Sequence, residues 1–449
     1  MQGKFLLWAY VLALIFLGWR SGRRVENQTD YYVNGRHSSW SGVSLSVIAS
    51  CVGGSAMMGM IGLARDVGAP AFWWLGSGAA GLLILSLFLA KKVRESGAVT
   101  MPQMLTEFIG APSRPLASAI IAVAWLGILA AQFSALAAII APLTGMSFFM
   151  SLVMGAAAVV LYTAVGGQAA VMKSDILQYL IMLVALLIVL VVGIYHGGAA
   201  SILAEPVVAV NAAFTVSDFT YFMVIIGGSY VVCPMLFGRF LSARDAAAAR
   251  RGGLWAVFGI AATAVIIVMI GIASRNLVPA DTPGEQVLSV FLLHNLPEWA
   301  ASMVLLGVFS AIVSSADSCL MTAASVISND LLRKSDINVC RAAMGGLGAL
   351  AVLLASTGKG ILALMLMAND IYVCGVVVPV FVGMLLYKRA AFRPWGMALA
   401  IGGGGLLGLI GSILQEPAYN YGALVFALLV SLMSAQFSVS GRLRESSTN

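Results

Sequence analysis

Charged residues are scarce in this chain of 449 residues, since Asp, Glu, Lys and Arg together make up only 10% of it. A soluble domain carries about a quarter of such residues. Hydrophobic residues reach 61%, and no polar run is longer than a loop. This shortage of charge excludes an ordinary soluble domain and indicates a protein that crosses the membrane many times.

The residues that most often carry catalysis or bind metals are few as well. The three histidines, His37, His196 and His294, fall in predicted loops or helix ends far apart in the sequence. No His-based catalytic pair is apparent, and an intramembrane enzyme is therefore disfavoured. Five cysteines lie in or next to apolar segments, at Cys51, Cys233, Cys319, Cys340 and Cys374. They lack the spacing of metal ligands or of a disulfide framework, so we interpret them as small buried apolar residues.

Long apolar segments, by contrast, run through the whole chain. A membrane-spanning helix needs about 20 mostly apolar residues, and the alternating pattern of a membrane barrel is absent. We predict thirteen helical spans, at about 4–20, 40–64, 69–90, 115–143, 147–165, 172–195, 218–241, 253–275, 299–328, 340–357, 360–387, 394–414 and 420–438. The first span lacks a small-residue cleavage site before "RSGRR", so we expect a retained helix and not a signal peptide.

The positions of Lys and Arg predict the orientation of these spans, because such residues concentrate in cytoplasmic loops. With the N-terminus outside and the C-terminus inside, all but four of the 25 Lys and Arg residues fall on the inner side. The exceptions are Lys4, Arg65, Arg275 and Lys359. Membrane topology thus explains the net charge of +7, and we expect no nucleic-acid partner.

Two spans carry helix-breaking residues near mid-membrane. The second span contains Gly53 and Gly54, and the seventh contains Gly227, Gly228 and Pro234. One glycine alone would indicate only close helix packing. Paired breaks at the first span of each group of five are typical of transporters built from inverted repeats. We predict a single transporter domain over 1–449, with a leading helix at 4–20, repeats at 40–195 and 218–387, and trailing helices at 394–438.

The ninth span includes "FSAIVSSADSCLMTAASVISNDLLRK", which holds many hydroxyl groups for a membrane helix. With 100° per residue, five hydroxyl residues fall within about 60° of Ala311, and Asp317 lies at the edge of this stripe. The five are Ser314, Ser315, Ser318, Thr322 and Ser325. Hydroxyl oxygens, with carbonyls freed by a broken helix, suit a hard monovalent cation such as Na⁺. The alternative is a packing seam whose hydroxyls bond to carbonyls one turn earlier.

Two further acids lie within predicted spans. Asp175, near the inner end of the sixth span, either faces the cation region or is an interfacial carboxylate paired with Lys173. Asp370 follows Asn369 in the eleventh span, near mid-bilayer. Because a charge is costly at that depth, Asp370 is either a substrate or proton site or a buried carboxylate bonded to neighbouring hydroxyls.

Several stretches together resemble the sodium:solute symporter family, which includes sodium/proline, sodium/pantothenate, sialic acid and sodium/sugar symporters. They are "AIVSSADS" followed by "SNDLLRK", then "GGQAAVMKSDILQYLIM", then "GRFLSARDAAAARRG". The resemblance covers nearly the whole chain. It implies an all-α polytopic membrane protein of the LeuT-type fold, with two inverted repeats of five helices, one leading helix and two trailing helices.

The resemblance also implies where cations bind. The conserved Na⁺ site of the family falls on the carbonyls of Ala49, Val52 and Ala311 and on the hydroxyls of Ser314 and Ser315. A second Na⁺ site, used by some members, falls on Asp175, Ser314, Asp317 and Ser318. Some members have a hydroxyl residue in place of Asp317, so this carboxylate either strengthens the second site or lets a proton take part.

Other positions depart from the family and bear on the solute. The usual Gln-Arg pair reads Gly238-Arg239, and the acidic residue of proline transporters falls on Cys51. Polar sugar-binding positions fall on Ala56 and Trp73. For each residue implied to contact the solute, core packing is the alternative, and Phe237 is also a candidate aromatic gate. These candidates are Gly53, Ala56, Met57, Trp73, Gln132, Cys233, Phe237, Asn369 and Tyr372, and Asp370 is a tenth candidate with the alternative given above.

We therefore predict a multi-pass transporter of the inner membrane that couples the Na⁺ gradient to uptake of a small organic solute by alternating access. Na⁺, the solute and the lipid bilayer are its expected partners. A proton-coupled symporter, with H⁺ on Asp175, Asp317 or Asp370, is the close alternative. A transport-like sensor would need a signalling domain, and only about a dozen residues follow Phe437, so we expect no sensor.

Overall fold

The computed structural model describes residues 2–23, 25–386, 390–414 and 416–437, and most of this part of the chain is helical. Its α-helices up to residue 204 are α1 (Gln2–Gly22), α2 (Gln28–Val33), α3 (Trp40–Cys51), α4 (Ile61–Val67), α5 (Trp73–Ile84), α6 (Ala90–Glu95), α7 (Met101–Ile109), α8 (Ser113–Thr144), α9 (Phe148–Gly193) and α10 (Ala199–Ala204). Those that follow are α11 (Val216–Tyr221), α12 (Gly228–Val231), α13 (Pro234–Ser242), α14 (Ala246–Ala273), α15 (Val287–Asn295), α16 (Glu298–Val326), α17 (Ile337–Ala355), α18 (Ile361–Tyr372), α19 (Val378–Leu386), α20 (Pro394–Leu414) and α21 (Pro417–Ser434).

Short segments of other geometry extend or connect these helices. The π-helical segments are Ser55–Met60, Leu85–Leu89, Ile194–Gly198, Phe222–Gly227, Ile327–Leu331 and Val373–Val377. The 3₁₀ segments are Asn34–Arg36, Ala69–Phe72, Ser274–Asn276 and Gly284–Gln286. Two strands, β1 (Ala390–Phe392) and β2 (Ala435–Phe437), pair antiparallel. This small sheet joins the segment before α20 to the end of α21.

Ten helical stretches of the described residues are long and apolar enough to cross a bilayer, and α3 with its bent continuation makes an eleventh. One stretch, Phe148–Ala204, would measure about 86 Å as a straight helix, nearly three times the hydrocarbon thickness. Gly167 interrupts it, since its φ of 60° and ψ of −160° are not helical. This break lies between the predicted spans 147–165 and 172–195. The apolar helix Ala418–Ser434 is shorter than the ten.

The total of thirteen spans and the orientation with the N-terminus outside stay predictions. The predicted span ends at 387 and 438 lie outside the described residues. Five of the basic residues used to orient the chain lie there too. They are Arg24, Lys388, Arg389, Arg442 and Arg444.

The hydroxyl-rich helix α16 lies at the centre of the fold. The most apolar stretch of α16 is 89% buried. The helix packs against α3, α8 and α9. Peripheral helices face outward with large apolar side chains, as on α1, where Phe5 is 74% exposed and Leu12 65%. Polar groups at the centre and apolar groups outside are the arrangement that a bilayer favours.

The first predicted helix break is present between α3 and the π-helical segment that leads into α4. The α3 helix ends at Cys51, Val52 leaves helical geometry with φ −102° and ψ 73°, and the continuation is bent by 58°. The Gly54 N–H, which lost its helical partner, donates to Gln132 Oε1 on α8 at 2.8 Å. A side-chain amide thus satisfies a buried backbone group that the break has freed.

The second break lies where Pro234 predicted it. The α12 helix ends at Val231, Val232 leaves helical geometry with φ −128° and ψ 80°, and Cys233 is extended with φ −114° and ψ 115°. Pro234 begins α13, where its missing N–H removes no helical hydrogen bond. The hydroxyl of Tyr372 donates to the freed Val232 carbonyl. At each break, one freed backbone group is therefore bonded by a side chain from a neighbouring helix.

Candidate functional site

The site forms where α16 passes the broken end of α3. The Ser314 hydroxyl lies 3.0 Å from the Ala49 carbonyl and 2.7 Å from the Ala311 carbonyl. The Ser315 hydroxyl lies 3.0 Å from the Ser50 carbonyl and 3.4 Å from that of Ala49. All five residues are buried. The structure thus brings together four of the five residues expected at the first Na⁺ site.

Val52, the fifth residue of that set, caps the end of α3. Its N–H bonds to the Ile48 carbonyl at 3.1 Å. The next residue, Gly53, lies directly against α16, because a Cβ placed on it would be 2.4 Å from Ser315 Oγ. Carbonyls in the last turn of a helix lack the partners that a following turn would supply. The carbonyls at this end of α3 therefore depend on partners outside the helix, and those of Ala49 and Ser50 accept from the Ser314 and Ser315 hydroxyls.

These atoms form a donor set suited to Na⁺. The carbonyl and hydroxyl oxygens that approach one another are 2.7–3.5 Å apart, and hard cations take such oxygen ligands. A serine hydroxyl can accept as well as donate, so Ser314 and Ser315 can turn their lone pairs toward a cation. The five residues contribute no fixed charge, which favours reversible binding.

The second set of expected ligands surrounds an arginine. Asp175 is fully buried and forms an ion pair with Arg239, whose Nη2 lies 3.3 Å from Asp175 Oδ2. The same guanidinium donates to the Ser318 hydroxyl. Asp175 is therefore not a solvent-exposed carboxylate at the membrane interface. Arg239, which the sequence placed among charges at inner helix ends, is also fully buried.

The polar seam continues from Ser318 toward the leading helix. Ser318 Oγ lies 3.1 Å from Asp317 Oδ1, whereas Asp317 Oδ2 is buried with no hydrogen-bond partner among the described residues. Asp175 Oδ1 and Gln178 Oε1 are also buried without a hydrogen-bond partner among the described residues. Gln178 Nε2 donates to Tyr10 on α1 at 3.2 Å. Three buried acceptor oxygens thus remain unsatisfied on the facing helices α9 and α16.

A cavity of about 70 Å³ lies beside the first set of ligands, between the two helix breaks. Four of the ten expected solute contacts line it, namely Gly53, Gln132, Cys233 and Asn369. The other residues that line it are Ser50, Cys51, Ser55, Trp74, Trp125, Ile128, Ile226, Ser229, Tyr230, Met235, Leu236, Ser315, Cys319 and Met365. Within the described residues, this lining contains no Asp, Glu, Lys, Arg or His.

The other six expected contacts lie outside this lining. Trp73 packs edge-on against Phe219, with ring centroids 4.9 Å apart. Tyr372 packs edge-on against the cavity residue Trp125, also with ring centroids 4.9 Å apart. Tyr372 therefore lies behind Trp125 and does not itself line the cavity. Three of the others are fully buried in the core, namely Ala56, Met57 and Phe237.

Comparison with known proteins decides the family. The model of the sodium:solute symporter family matches residues 31–391, which is more than half of the chain. The chain belongs to this family. Its transporter members and the many apolar helices make this symporter a multi-pass membrane transporter and not an enzyme.

Individual relatives of this symporter have low sequence identity to it, but they match it over most of its length. The osmoregulated proline transporter OpuE of Bacillus subtilis is 26% identical over 348 residues, which cover 72% of this chain and 70% of OpuE. The high-affinity choline transporter 1 of Caenorhabditis elegans is 26% identical over 427 residues, covering 81% of this chain and 72% of that protein. A solved structure of a Na⁺-coupled sialic acid symporter, substrate-bound and outward-open, gives a TM-score of 0.82 at 16% identity and covers 98% of this chain and 99% of that one. The predicted LeuT-type fold is confirmed.

Asp370, the sixth expected contact outside the lining, bonds to two residues that do not line the cavity either. It accepts hydrogen bonds from Tyr221 at 2.6 Å and from Ser412 at 3.1 Å. We expect Asp370→Asn to lower solute uptake by no more than about fivefold, since an amide oxygen still accepts one of these bonds and one net hydrogen bond is worth about 1 kcal/mol. Uptake into cells, normalised to the amount of symporter in the membrane, measures this. A loss of transport at normal membrane levels would identify Asp370 as a solute or proton site.

Two features of the site were not predicted from the sequence. Arg239 was counted among the charges at inner helix ends, although an arginine within an apolar span indicates a buried acidic partner. The aromatic wall of Trp74, Trp125 and Tyr230 had no signal of its own, because tryptophan and tyrosine are also enriched at the membrane–water interfaces for reasons unrelated to a solute.

Proposed function

We propose that this symporter binds Na⁺ between α3 and α16 and uses it to drive a small solute into the cell. The ligands are the carbonyls of Ala49, Val52 and Ala311 and the hydroxyls of Ser314 and Ser315. The observation that supports this most is the approach of both hydroxyls to one carbonyl, that of Ala49, at 3.0 and 3.4 Å. That carbonyl lies in the last turn of α3, just before the helix breaks.

An ion at this position couples the two helices. Na⁺ attracts the freed carbonyls of α3 and the hydroxyls of α16 at once, and it therefore favours the state in which both sets are close. Inward opening separates α3 from α16 and releases the ion. The difference in Na⁺ affinity between these states is the free energy that links ion flux to solute flux.

The cavity between the breaks is the proposed solute site, and its lining limits the charge of the solute. A net charge transferred from water into a cavity without an opposite charge is strongly disfavoured. We therefore propose a small solute of zero net charge, such as a zwitterionic amino acid. OpuE, by its name a proline transporter, is a relative whose solute has this property.

A quaternary ammonium solute is the second candidate. Trp74, Trp125 and Tyr230 line the cavity, and aromatic faces bind such cations without a carboxylate. The relative named as a choline transporter agrees with this possibility. The two candidates differ in whether the solute carries a carboxylate.

The test begins with thermal stability of the purified symporter. Proline and other amino acids, choline, sugars and pantothenate are added singly in Na⁺ or in K⁺ buffer, because a ligand that binds the folded state raises its stability by mass action. We expect stabilisation by a zwitterion, larger in Na⁺ than in K⁺. K⁺ and not choline replaces Na⁺ in the control buffer, because choline is itself one of the solutes tested.

The solute that binds is then followed into proteoliposomes. We expect an inward Na⁺ gradient to raise uptake, and replacement of Na⁺ by K⁺ at fixed pH to remove the increase. Uptake that follows a pH gradient equally well in K⁺ would contradict the proposal. It would favour instead a proton-coupled symporter that uses one of the intramembrane carboxylates.

A further inference from the structure

Arg239 has the largest fully buried side chain in the described part of the protein. It lies on α13, five residues after the proline of the second break, and its guanidinium reaches across to α3. There it donates to Ser50 Oγ at 2.7 Å and to Ser46 Oγ at 3.3 Å. Its contacts with Asp175 and Ser318 join it to α9 and α16. One side chain thus bonds three helices that line the cation region.

The guanidinium is a permanent charge in this position. Arginine does not lose its proton in proteins, and a buried charge needs a close opposite charge and a full set of hydrogen bonds. Asp175 supplies the charge, and three hydroxyls supply acceptors. The backbone carbonyl of Met235, at 3.3 Å, is a further acceptor. Arg239 is therefore held in the way a protein holds a bound cation.

The oxygens that hold it overlap the second expected Na⁺ site. Asp175 and Ser318 belong to that site, and both already contact the guanidinium. A Na⁺ ion bound to the same two oxygens would lie next to a second positive charge. Like charges at such a distance repel strongly away from water. The guanidinium and a Na⁺ ion are thus alternatives at this position.

We propose that Arg239 is a tethered cation that takes the place of a second Na⁺ ion, so that this symporter binds one Na⁺ per chain. The inference deepens the proposed function and rests on it, since the single ion is the one at Ala49, Ser314 and Ser315. Arg239 secures α13 against α3, α9 and α16 as an ion would, but it is not carried across the membrane. The highest accumulation of a neutral solute then depends on the Na⁺ concentration ratio to the first power and not on its square.

Equilibrium binding of radioactive Na⁺ to the purified full-length symporter in lipid nanodiscs tests this without a known solute. We expect one saturable Na⁺ per chain and a Hill coefficient of one. No saturable Na⁺ would overturn the proposed function itself. Two Na⁺ per wild-type chain would overturn the present inference alone, and the unpaired Asp317 Oδ2 would then be the expected ligand of the second ion.

Variants at Arg239 sharpen the result. We expect Arg239→Ala to bind two Na⁺, because Asp175 and Ser318 are then free to bind an ion. Arg239→Lys, which keeps a tethered cation, is expected to bind one, and so is Arg239→Ala combined with Asp175→Asn. If Arg239→Ala folds and still binds one Na⁺, the guanidinium excludes no ion and the inference is wrong. If Arg239→Ala does not fold, the wild-type number decides by itself.

Discussion

Replacement of both Ser314 and Ser315 by alanine is expected to abolish Na⁺-stimulated uptake while the symporter still inserts into the membrane. The two hydroxyls are the side-chain oxygens of the proposed ion site, and both point at the carbonyl end of α3. Outer-shell partners of metal ligands already contribute roughly 10–100-fold to metal affinity, so loss of two direct ligands should weaken Na⁺ binding by about 100-fold or more. Uptake over a range of Na⁺ concentrations measures the loss.

The matched control removes two hydroxyls from the same helix. Thr322 and Ser325 bond back to carbonyls of α16 itself, those of Ser318 and Met321, at 2.7 and 2.6 Å. Alanine at both of these positions should leave the Na⁺ dependence of uptake unchanged. Equal loss of Na⁺ dependence in the two double variants would show a general effect of hydroxyls on helix packing, and Na⁺ dependence that survives in the Ser314 and Ser315 variant would exclude the proposed site.

Substitution of Gly53 by alanine is expected to have an effect of similar size. A Cβ at this position would lie 2.4 Å from Ser315 Oγ and 2.8 Å from Gln132 Oε1. Neither neighbour can yield easily, since Ser315 is buried on α16 and Gln132 bonds the Gly54 N–H. Overpacking of this kind costs about 1–3 kcal/mol, and we expect it to reduce Na⁺-dependent uptake by roughly 10-fold to 100-fold.

Gly346 provides the control for this substitution. It lies in the helix α17, and a Cβ there would meet nothing within 4 Å. Alanine at Gly346 should leave uptake unchanged and favour the helix slightly. Thermal unfolding of both variants separates an effect on transport from an effect on folding. Normal uptake by Gly53→Ala would mean that α3 and α16 are not in close contact during transport.

The face of α16 that carries the proposed ion ligands was predictable from the sequence because helical geometry is local. At 100° per residue, Ser314 and Ser315 must share a face with Ala311 wherever α16 packs. The break after Cys51 was predictable for the same reason, since Gly53 and Gly54 weaken a helix without reference to any partner. The structure adds that this face of α16 meets this end of α3.

The cavity was less predictable because a uniformly apolar helix carries little information about its rotation. Trp73 was expected to line it, and its neighbour Trp74 does. One residue corresponds to a rotation of about 100°, which transfers a side chain from the cavity to the contact with Phe219. Asp370 and Asn369 show the same difference, because Asn369 lines the cavity and Asp370 bonds to Tyr221.

The sequence by itself determined that this protein is a helical membrane transporter, where its two central helices break and which helix carries the hydroxyls. Hydropathy, glycine pairs and helical periodicity are properties of a single segment of the chain, so they can be read without knowledge of the fold. Only the tertiary structure decided that Arg239 pairs with Asp175, 64 positions away, and that the cavity lining is uncharged. Such pairings depend on how α3, α9, α13 and α16 pack and rotate against one another, and no local pattern in an apolar chain specifies that.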